Sequence, residues 1–159
     1  MSITVFVPRD SVALALDADA VARAILAEAG LRGRAVRVVR NGSRGMLWLE
    51  PLVEVQTPQG RVAYGPVAAE DVRALFDADF LRGGKHKLGL GLTEALPYLK
   101  QQQRLTFARV GLTDPLSLED YRAHDGFQGL RRALALQPAA IVQQVTDSGL
   151  RGRGGAAFP

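Results

Sequence analysis

The stretch "LWLEPLVEVQTPQGRVAYGPV", from Leu47 to Val67, decides the fold of this chain. Two runs of alternating apolar and polar residues flank a turn at Pro58-Gln59-Gly60, and this pattern is typical of a β-hairpin. A hairpin needs further elements to cover its apolar face, and the flanking sequence supplies them. "SITVFV" at residues 2–7 and "AVRVVR" at residues 35–40 are rich in β-branched residues, so both are predicted to be strands.

Helical periodicity follows the first strand and the hairpin. Residues 17–30 carry an apolar stripe that ends at a glycine, and "AAEDVRALFDADFL" places Val72, Leu75 and Phe76 on one face. The resulting order, β-α-β-β-α, is complete by about residue 82. It predicts a small α/β domain of thioredoxin-like type over residues 1–82.

The composition changes after this first domain. Residues 83–103, "GGKHKLGLGLTEALPYLKQQQ", are glycine-rich and lack periodicity, which predicts a linker. Residues 104–159 are predicted to form part of a second domain, in which "RLTFARVG" is a strand and three short helices follow. The side chains expected to face inward on the second and third of these helices are Phe127, Leu130, Ala133, Leu134, Ile141, Val142 and Val145.

The composition excludes several classes of function. The chain has no cysteine, which rules out a disulfide framework, a thiolate nucleophile and a cysteine-held iron–sulfur cluster within it. It has no apolar run near the 18 or so residues of a membrane span, and "MSITVFVPRD" does not resemble a secretory signal. We therefore expect a cytoplasmic protein that does not associate with a membrane. The net charge of +4 comes from dispersed arginines and does not indicate nucleic-acid binding.

The loop "SGLRGRGGAAFP", residues 148–159, is the strongest candidate for a binding site. Glycines allow successive backbone N–H groups to point into one concavity, which suits an anionic group such as a phosphate. The arginines between them add charge-assisted hydrogen bonds. The alternative interpretation is a disordered arginine–glycine tail, as in some RNA-binding proteins.

This loop, together with "VGLTDPLSLEDYRAHDGFQGLRRAL" before it, resembles the flavin-binding region of the family of NADH-oxidising subunits. That family includes the flavin subunits of complex I, of bidirectional NAD-linked hydrogenases and of soluble NAD-dependent formate dehydrogenases. In the family the loop reads SGLRGRGGAGFPTGxKW, so Ala157 replaces a glycine and the sequence stops before TGxKW. The resemblance covers Phe107 to Pro159 and implies the N-terminal part of an FMN- and NAD-binding α/β domain.

The same resemblance implies roles for individual residues. Gly152, Arg153, Gly154 and Gly155 would line FMN, and Phe158 would pack on NAD. No catalytic side chain is assigned, because hydride chemistry belongs to the flavin. Residues 1–159 alone are expected neither to bind FMN tightly nor to turn over, since part of the pocket lies outside them.

Some family members hold a [2Fe–2S] cluster in the thioredoxin-like domain through C-x4-C and C-x3-C pairs. "VFVPRDSVALA" places Pro8 and Ala13 at the first pair, and "NGSRGMLWLEP" places Ser43 and Leu47 at the second. Proline, alanine and leucine cannot ligate iron, and serine does so poorly. The resemblance therefore implies a degenerate domain without a metal.

Within the family, a cluster-free domain favours the beta subunit of molybdenum-containing formate dehydrogenase. Electrons from formate would reach FMN through iron–sulfur clusters and reduce NAD+. The partners would be a molybdenum/iron–sulfur alpha subunit and a small [2Fe–2S] gamma subunit, with any [4Fe–4S] cluster of this subunit outside the present sequence. The alternatives are a hydrogenase or complex I flavin subunit and, in another class, a non-catalytic thioredoxin-like docking module.

Overall fold

The computed structural model describes residues 2–158, so Met1 and Pro159, which belong to the predicted domain ranges, lie outside it. Five strands form one mixed sheet, in the order β2-β1-β3-β4-β5. β1 and β2 are parallel, and the other neighbouring pairs are antiparallel. The strands are β1 (Ile3–Phe6), β2 (Val36–Val39), β3 (Val53–Thr57), β4 (Gly60–Tyr64) and β5 (Gly89–Leu92).

Seven α-helices accompany the sheet in the part of the chain that the structure describes. They are α1 (Ser11–Ala15), α2 (Ala18–Leu31), α3 (Val72–Asp77), α4 (Pro97–Lys100), α5 (Leu118–Ala123), α6 (Gln128–Leu134) and α7 (Pro138–Asp147). The α/β class predicted from the sequence is confirmed.

The predicted hairpin is present as β3 and β4. Val53 pairs with Tyr64 and Val55 with Val62, so the alternating residues share a face as the pattern required. The Thr57 hydroxyl donates a 2.7 Å hydrogen bond to the Gly60 carbonyl and closes the turn.

One face of the sheet is covered by α2 and α3. Their apolar stripes pack on the valines of β1 and β3, and the predicted side chains Val72, Leu75 and Phe76 are all buried in this core. Burial of each such side chain stabilises the fold by about 1.5–3 kcal/mol. Periodicity therefore located the main core correctly.

The opposite face carries a smaller apolar cluster of Met46, Leu52, Ala63 and Leu99. Part of this cover comes from residues 83–103, which were predicted to be a linker. The structure instead forms β5 and α4 there, and β5 pairs with β4 as the edge strand. The prediction of an irregular segment is wrong. Gly89 and Gly91 interrupt the alternation of apolar and polar residues by which a strand is recognised, but a short, exposed edge strand tolerates glycine. The division into domains at residues 1–82, 83–103 and 104–159 stays a prediction.

The strand predicted at residues 104–111 is also wrong. These residues form successive turns, with the Ala108 N–H donating to the Leu105 carbonyl and the Val110 N–H to the Phe107 carbonyl. In the described structure no neighbouring strand forms ladder hydrogen bonds with these residues. Their strand-like composition alone is therefore not enough to make them a strand.

The chain divides after Asp120 into two compact units. The second unit contains α6 and α7, whose apolar stripes were predicted to face inward. Leu130, Leu134, Val142 and Val145 are instead exposed. The prediction is wrong for these four side chains, over which few described residues pack, whereas Phe127, Ala133 and Ile141 are half-buried.

Candidate functional site

A cluster of buried charges lies on the second face of the sheet, which is the face opposite α2 and α3. The Glu54 carboxylate of β3 is fully buried and accepts hydrogen bonds from Arg44, at 2.9 Å from Nη2 and 3.3 Å from Nε. Arg61 of β4 lies 3.4 Å from the same carboxylate, and its guanidinium carbon stands 3.4 Å from the Phe6 ring centroid. Arg44 is also paired with Glu94 at 2.9 Å. Two arginines thus depend on one buried carboxylate, and removing it would leave their charges uncompensated.

This cluster fixes a distant loop to the sheet. The Asn41 amide donates to the Gly111 carbonyl at 2.8 Å, and Arg61 donates to the Gly111 and Leu112 carbonyls at 2.9 and 2.8 Å. Gly111 has a φ of +78°, and an added Cβ would lie 2.4 Å from Cδ of Arg44. Only glycine suits this position, because the backbone must approach the arginine closely.

Sequence reasoning missed the charge cluster. Its only signal in the sequence was the pair of opposite charges on adjacent hairpin strands, Glu54 and Arg61. The alternation of apolar and polar residues in the hairpin does not distinguish an exposed polar face from a buried one. Arg44 and Asn41 come from the loop before the hairpin, and nothing local predicts that they cover this face.

Ser43, one of the four positions where the resemblance expected a lost cluster ligand, takes part in a hydrogen bond. Its hydroxyl donates to the Glu50 carboxylate at 2.6 Å and accepts from the Gly45 N–H at 3.0 Å. The other Glu50 oxygen accepts from the Leu52 N–H at 2.9 Å. Burial raises the pKa of Glu50, the hydrogen bonds from Ser43 and Leu52 oppose that rise, and the nearby Asp10 carboxylate adds to it.

The other three of these positions offer no ligand atoms. Pro8 and Ala13 are buried, whereas the Leu47 side chain is half exposed. Within residues 2–158, no group of three or more His, Cys, Asp or Glu residues converges in a way that could hold a metal ion.

The arginine–glycine loop, residues 149–158, is exposed along its whole length. The Gly152 N–H donates to the Phe158 carbonyl at 2.6 Å, and the Ala157 N–H donates to the Gly154 carbonyl at 3.1 Å. These two bonds bend the loop back on itself, so the segment is a compact turn rather than an extended tail. Four of the five residues predicted to contact FMN or NAD, Gly152, Arg153, Gly154 and Gly155, lie within this turn, and Phe158 closes it.

The glycines of the loop differ in whether the surrounding chain leaves room for a side chain. A Cβ on Gly152 would lie 3.1 Å from the Phe158 nitrogen, which is a close internal approach. A Cβ on Gly154 or Gly155 would meet nothing within 4 Å, and neither residue has a positive φ. Packing and conformation within the described chain do not demand glycine at these two positions. Their backbone is open to the close approach of a group from outside the described chain.

An apolar cavity of about 550 Å³ lies beside this loop in the second unit. It is lined by Ile141, Val142 and Val145 of α7 and by Gly149, Leu150 and Arg151 of the loop. The α7 side chains that sequence periodicity assigned to a core thus line an open surface next to the candidate site.

Comparison with curated proteins finds relatives to part of this chain. A stretch of 60 residues, 38% of the chain, is 48% identical to the NADP-reducing hydrogenase subunit HndC of Solidesulfovibrio fructosivorans. A stretch of 43 residues is 56% identical to an NADH-quinone oxidoreductase subunit of Streptomyces coelicolor, and 45 residues are 53% identical to the subunit of the same name in Escherichia coli. The matched stretches span only 10–12% of the length of these relatives.

Comparison with solved structures concerns the fold. A thioredoxin-like [2Fe-2S] ferredoxin from Aquifex aeolicus matches with a TM-score of 0.50 and 20% identity, over 60% of this chain and 96% of that chain. The predicted thioredoxin-like fold is thereby confirmed. No protein-family profile matches the chain. Among residues 2–158 there is no helix with the length and apolar character to cross a membrane.

Proposed function

We propose that this chain is part of the flavin-bearing, NAD-linked subunit of a multi-subunit oxidoreductase. The observation that carries the proposal is the loop at residues 149–158, where glycines that the chain does not need leave the backbone open to an external group. The relatives support it, because both names, an NADP-reducing hydrogenase subunit and an NADH-quinone oxidoreductase subunit, denote parts of nicotinamide-linked redox enzymes.

In this proposal the loop binds FMN. Gly154 and Gly155 allow the flavin to lie against the backbone, and Gly152 keeps the turn tight through its N–H bond to Phe158. Arg153 supplies a positive charge for the phosphate side, and Phe158 offers a ring on which the dinucleotide can pack. Bound flavin would supply the chemistry, accepting or donating a hydride at the nicotinamide and exchanging electrons singly with metal centres.

The specific enzyme that we propose is a cytoplasmic, molybdenum-containing formate dehydrogenase that reduces NAD+. The support is a thioredoxin-like domain in which Pro8, Ala13, Ser43 and Leu47 stand at the expected ligand positions. Its partners would be the molybdenum/iron–sulfur alpha subunit and the [2Fe–2S] gamma subunit, and the [4Fe–4S] cluster would lie in another part of this subunit. A hydrogenase or complex I flavin subunit is the alternative that the names of the relatives favour.

The thioredoxin-like unit has a second candidate function, as a docking module without chemistry of its own. The observation that favours it is that Ser43, at a predicted ligand position, is occupied by hydrogen bonds with Glu50 and Gly45. This role and the flavin role belong to different parts of the chain, so both can hold.

The test is to purify the complete polypeptide that contains this sequence, together with its co-expressed partner subunits. We expect stoichiometric FMN by fluorescence after acid release, and NAD+ reduction that depends on formate. Reduction that depends on hydrogen, or quinone-dependent oxidation of NADH, would assign the complex to the alternative enzymes. A colourless complex without FMN would refute the flavin assignment itself.

A matched pair of variants tests the loop. Gly154→Ala combined with Gly155→Ala adds side chains only towards open space, so thermal stability should not change. FMN retention should nevertheless weaken by about tenfold or more, because the added methyl groups hold the flavin away from the backbone. The control is Gly129→Ala in α6, where a Cβ also meets nothing within 4 Å. Equal FMN retention in the unaltered protein and in both variants would contradict the proposed site.

A further inference from the structure

A second surface site lies in the first unit, and none of the residues assigned to FMN or NAD lines it. It is a groove of about 660 Å³ between the turn at residues 43–47 and the segment 98–110. We call it the 98–110 groove. The side chains that matter for the argument are Leu47, Tyr98, Arg104, Leu105, Phe107 and Val110.

The walls of the 98–110 groove are apolar and open. Leu105 is 90% exposed and Phe107 64% exposed, and Leu47 and Val110 also face solvent to a large extent. The Tyr98 ring is held edge-on against Trp48, with ring centroids 5.3 Å apart. A contiguous group of large apolar side chains on a surface is a common mark of a protein–protein contact.

The groove is also built on fixed elements. Leu99 of α4 is buried in the second-face core and holds Tyr98 in place. At the other end, the Gly111 carbonyl is bound by Asn41 and Arg61. A segment anchored at both ends presents its apolar side chains in one arrangement, which lowers the entropic cost of binding a partner.

The charge of the groove is one-sided. Among the described residues, its lining contains two arginines and no acidic residue. Arg44 already shares its charge with Glu54 and Glu94. Arg104 has no carboxylate within salt-bridge distance in the described part of the chain, and its Nη2 donates to the Val110 carbonyl at 3.1 Å, which orients the guanidinium. The groove therefore offers one positioned cation beside an apolar surface.

We propose that the 98–110 groove binds an apolar polypeptide segment of another subunit, through a carboxylate of that segment that pairs with Arg104. The proposal rests on the proposed function, because it takes the partner from the same oxidoreductase complex. Charge complementarity of this kind sets the register of an interface, while the apolar walls supply the buried surface.

The same observations disfavour two other occupants. A two-fold contact between copies of this chain would bring two cationic grooves together, which electrostatics opposes. Single-stranded nucleic acid needs a track of several cations along its phosphates, whereas the described lining of this groove has Arg104 as its one cation without a paired carboxylate.

The test uses the complete complex with Arg104→Lys, which places a primary amine at the proposed ion pair and keeps the charge. A carbodiimide joins that amine to a carboxylate only in direct contact. We expect a cross-link from position 104 to an Asp or Glu of another subunit, found by mass spectrometry, and none from the control Arg37→Lys on the opposite edge strand β2. Links only to this chain, to a second copy or to nothing would overturn the proposal, as would salt-dependent binding of a dT15 oligonucleotide that Arg104→Glu abolishes.

A second measurement separates this proposal from the flavin assignment. Phe107→Ala and Arg104→Glu should each speed dissociation of the subunits about tenfold or more, while FMN content stays unchanged. Leu31→Ala, which removes an apolar side chain that is 83% exposed on α2, is the control. Unchanged dissociation with FMN present would overturn the docking site and leave the flavin assignment intact. A complex without FMN would refute the flavin assignment whatever the cross-links show.

Discussion

Single residues on the second face of the sheet show why a buried charge can be retained. Glu54 has no exposed surface, yet its carboxylate is fully hydrogen-bonded by Arg44, Asn41 and Arg61. A buried ion pair adds little net stability compared with an apolar replacement, but breaking it leaves an uncompensated charge. The cluster therefore contributes mainly to the specificity of the fold, because it determines which loop packs on the sheet.

Glu54→Gln tests this asymmetry. The change keeps the shape of the side chain and removes its charge, so Arg44 and Arg61 repel each other in a largely buried site. We expect the free energy of unfolding, measured by urea denaturation, to fall by about 3–5 kcal/mol. Glu94→Gln, at the exposed end of the same cluster, should cost at most about 1 kcal/mol. Equal losses for the two variants would show that burial does not control the effect.

Glu50 makes stability depend on pH. Burial raises its pKa above the ordinary value of 4.5, so the folded state holds the proton more tightly than the unfolded state. The stabilisation from this protonation is fully present below the unfolded pKa, and it is lost as pH rises through the folded pKa. We expect the stability of the unaltered protein relative to Glu50→Gln to decrease over that window, in urea unfolding measured from about pH 4 to pH 7. A constant difference between the two proteins would contradict the raised pKa.

At the scale of elements, the turn segment 104–112 illustrates how a strand pattern can be overridden. "RLTFARVG" has the composition of a strand, but a strand needs a neighbour, and the edge beside β4 is already taken by β5. The segment forms turns instead, and side chains of the first unit donate hydrogen bonds to the carbonyl groups at its C-terminal end. Hydrogen bonds from Asn41 and Arg61 to Gly111 replace the ladder that a sixth strand would have made.

Gly111→Ala tests the anchor of this segment. The added Cβ would lie 2.4 Å from Arg44 at a positive φ, so the loop must shift and strain the hydrogen bonds to its carbonyl. We expect a loss of about 1–3 kcal/mol in the free energy of unfolding, with faster amide exchange over residues 104–112. Gly30→Ala in α2, where a Cβ meets open space, should instead stabilise by up to about 1 kcal/mol. Similar behaviour of the two variants would argue against a close approach at Gly111.

At the scale of the whole molecule, the thioredoxin-like fold and the arginine–glycine loop belong to different compact units. The first unit has two apolar cores and a charge cluster, whereas the second exposes the apolar side chains of α6 and α7. The candidate flavin loop therefore lies in a unit whose own residues leave it open.

A polypeptide of residues 1–159 should not retain FMN through gel filtration. The loop residues 149–158 are all exposed, so a bound flavin would contact them on one side only, and a ligand covered on one side binds weakly. The measurement is flavin fluorescence of the protein peak after reconstitution with excess FMN, with the complete subunit as the positive control. Stoichiometric flavin on the short polypeptide would show that these residues suffice.

The sequence by itself determined the hairpin, the helices α2 and α3, the main core and a glycine-rich loop near residue 150. These features depend on local periodicity and on glycine chemistry, both of which can be read within a few residues. Only the tertiary structure decided that Glu54 is buried, that residues 89–92 form the edge strand, and that residues 104–111 form turns. Each of these depends on residues far apart in the chain, as when Arg61 binds a carbonyl 50 residues downstream, and no local pattern encodes such a contact.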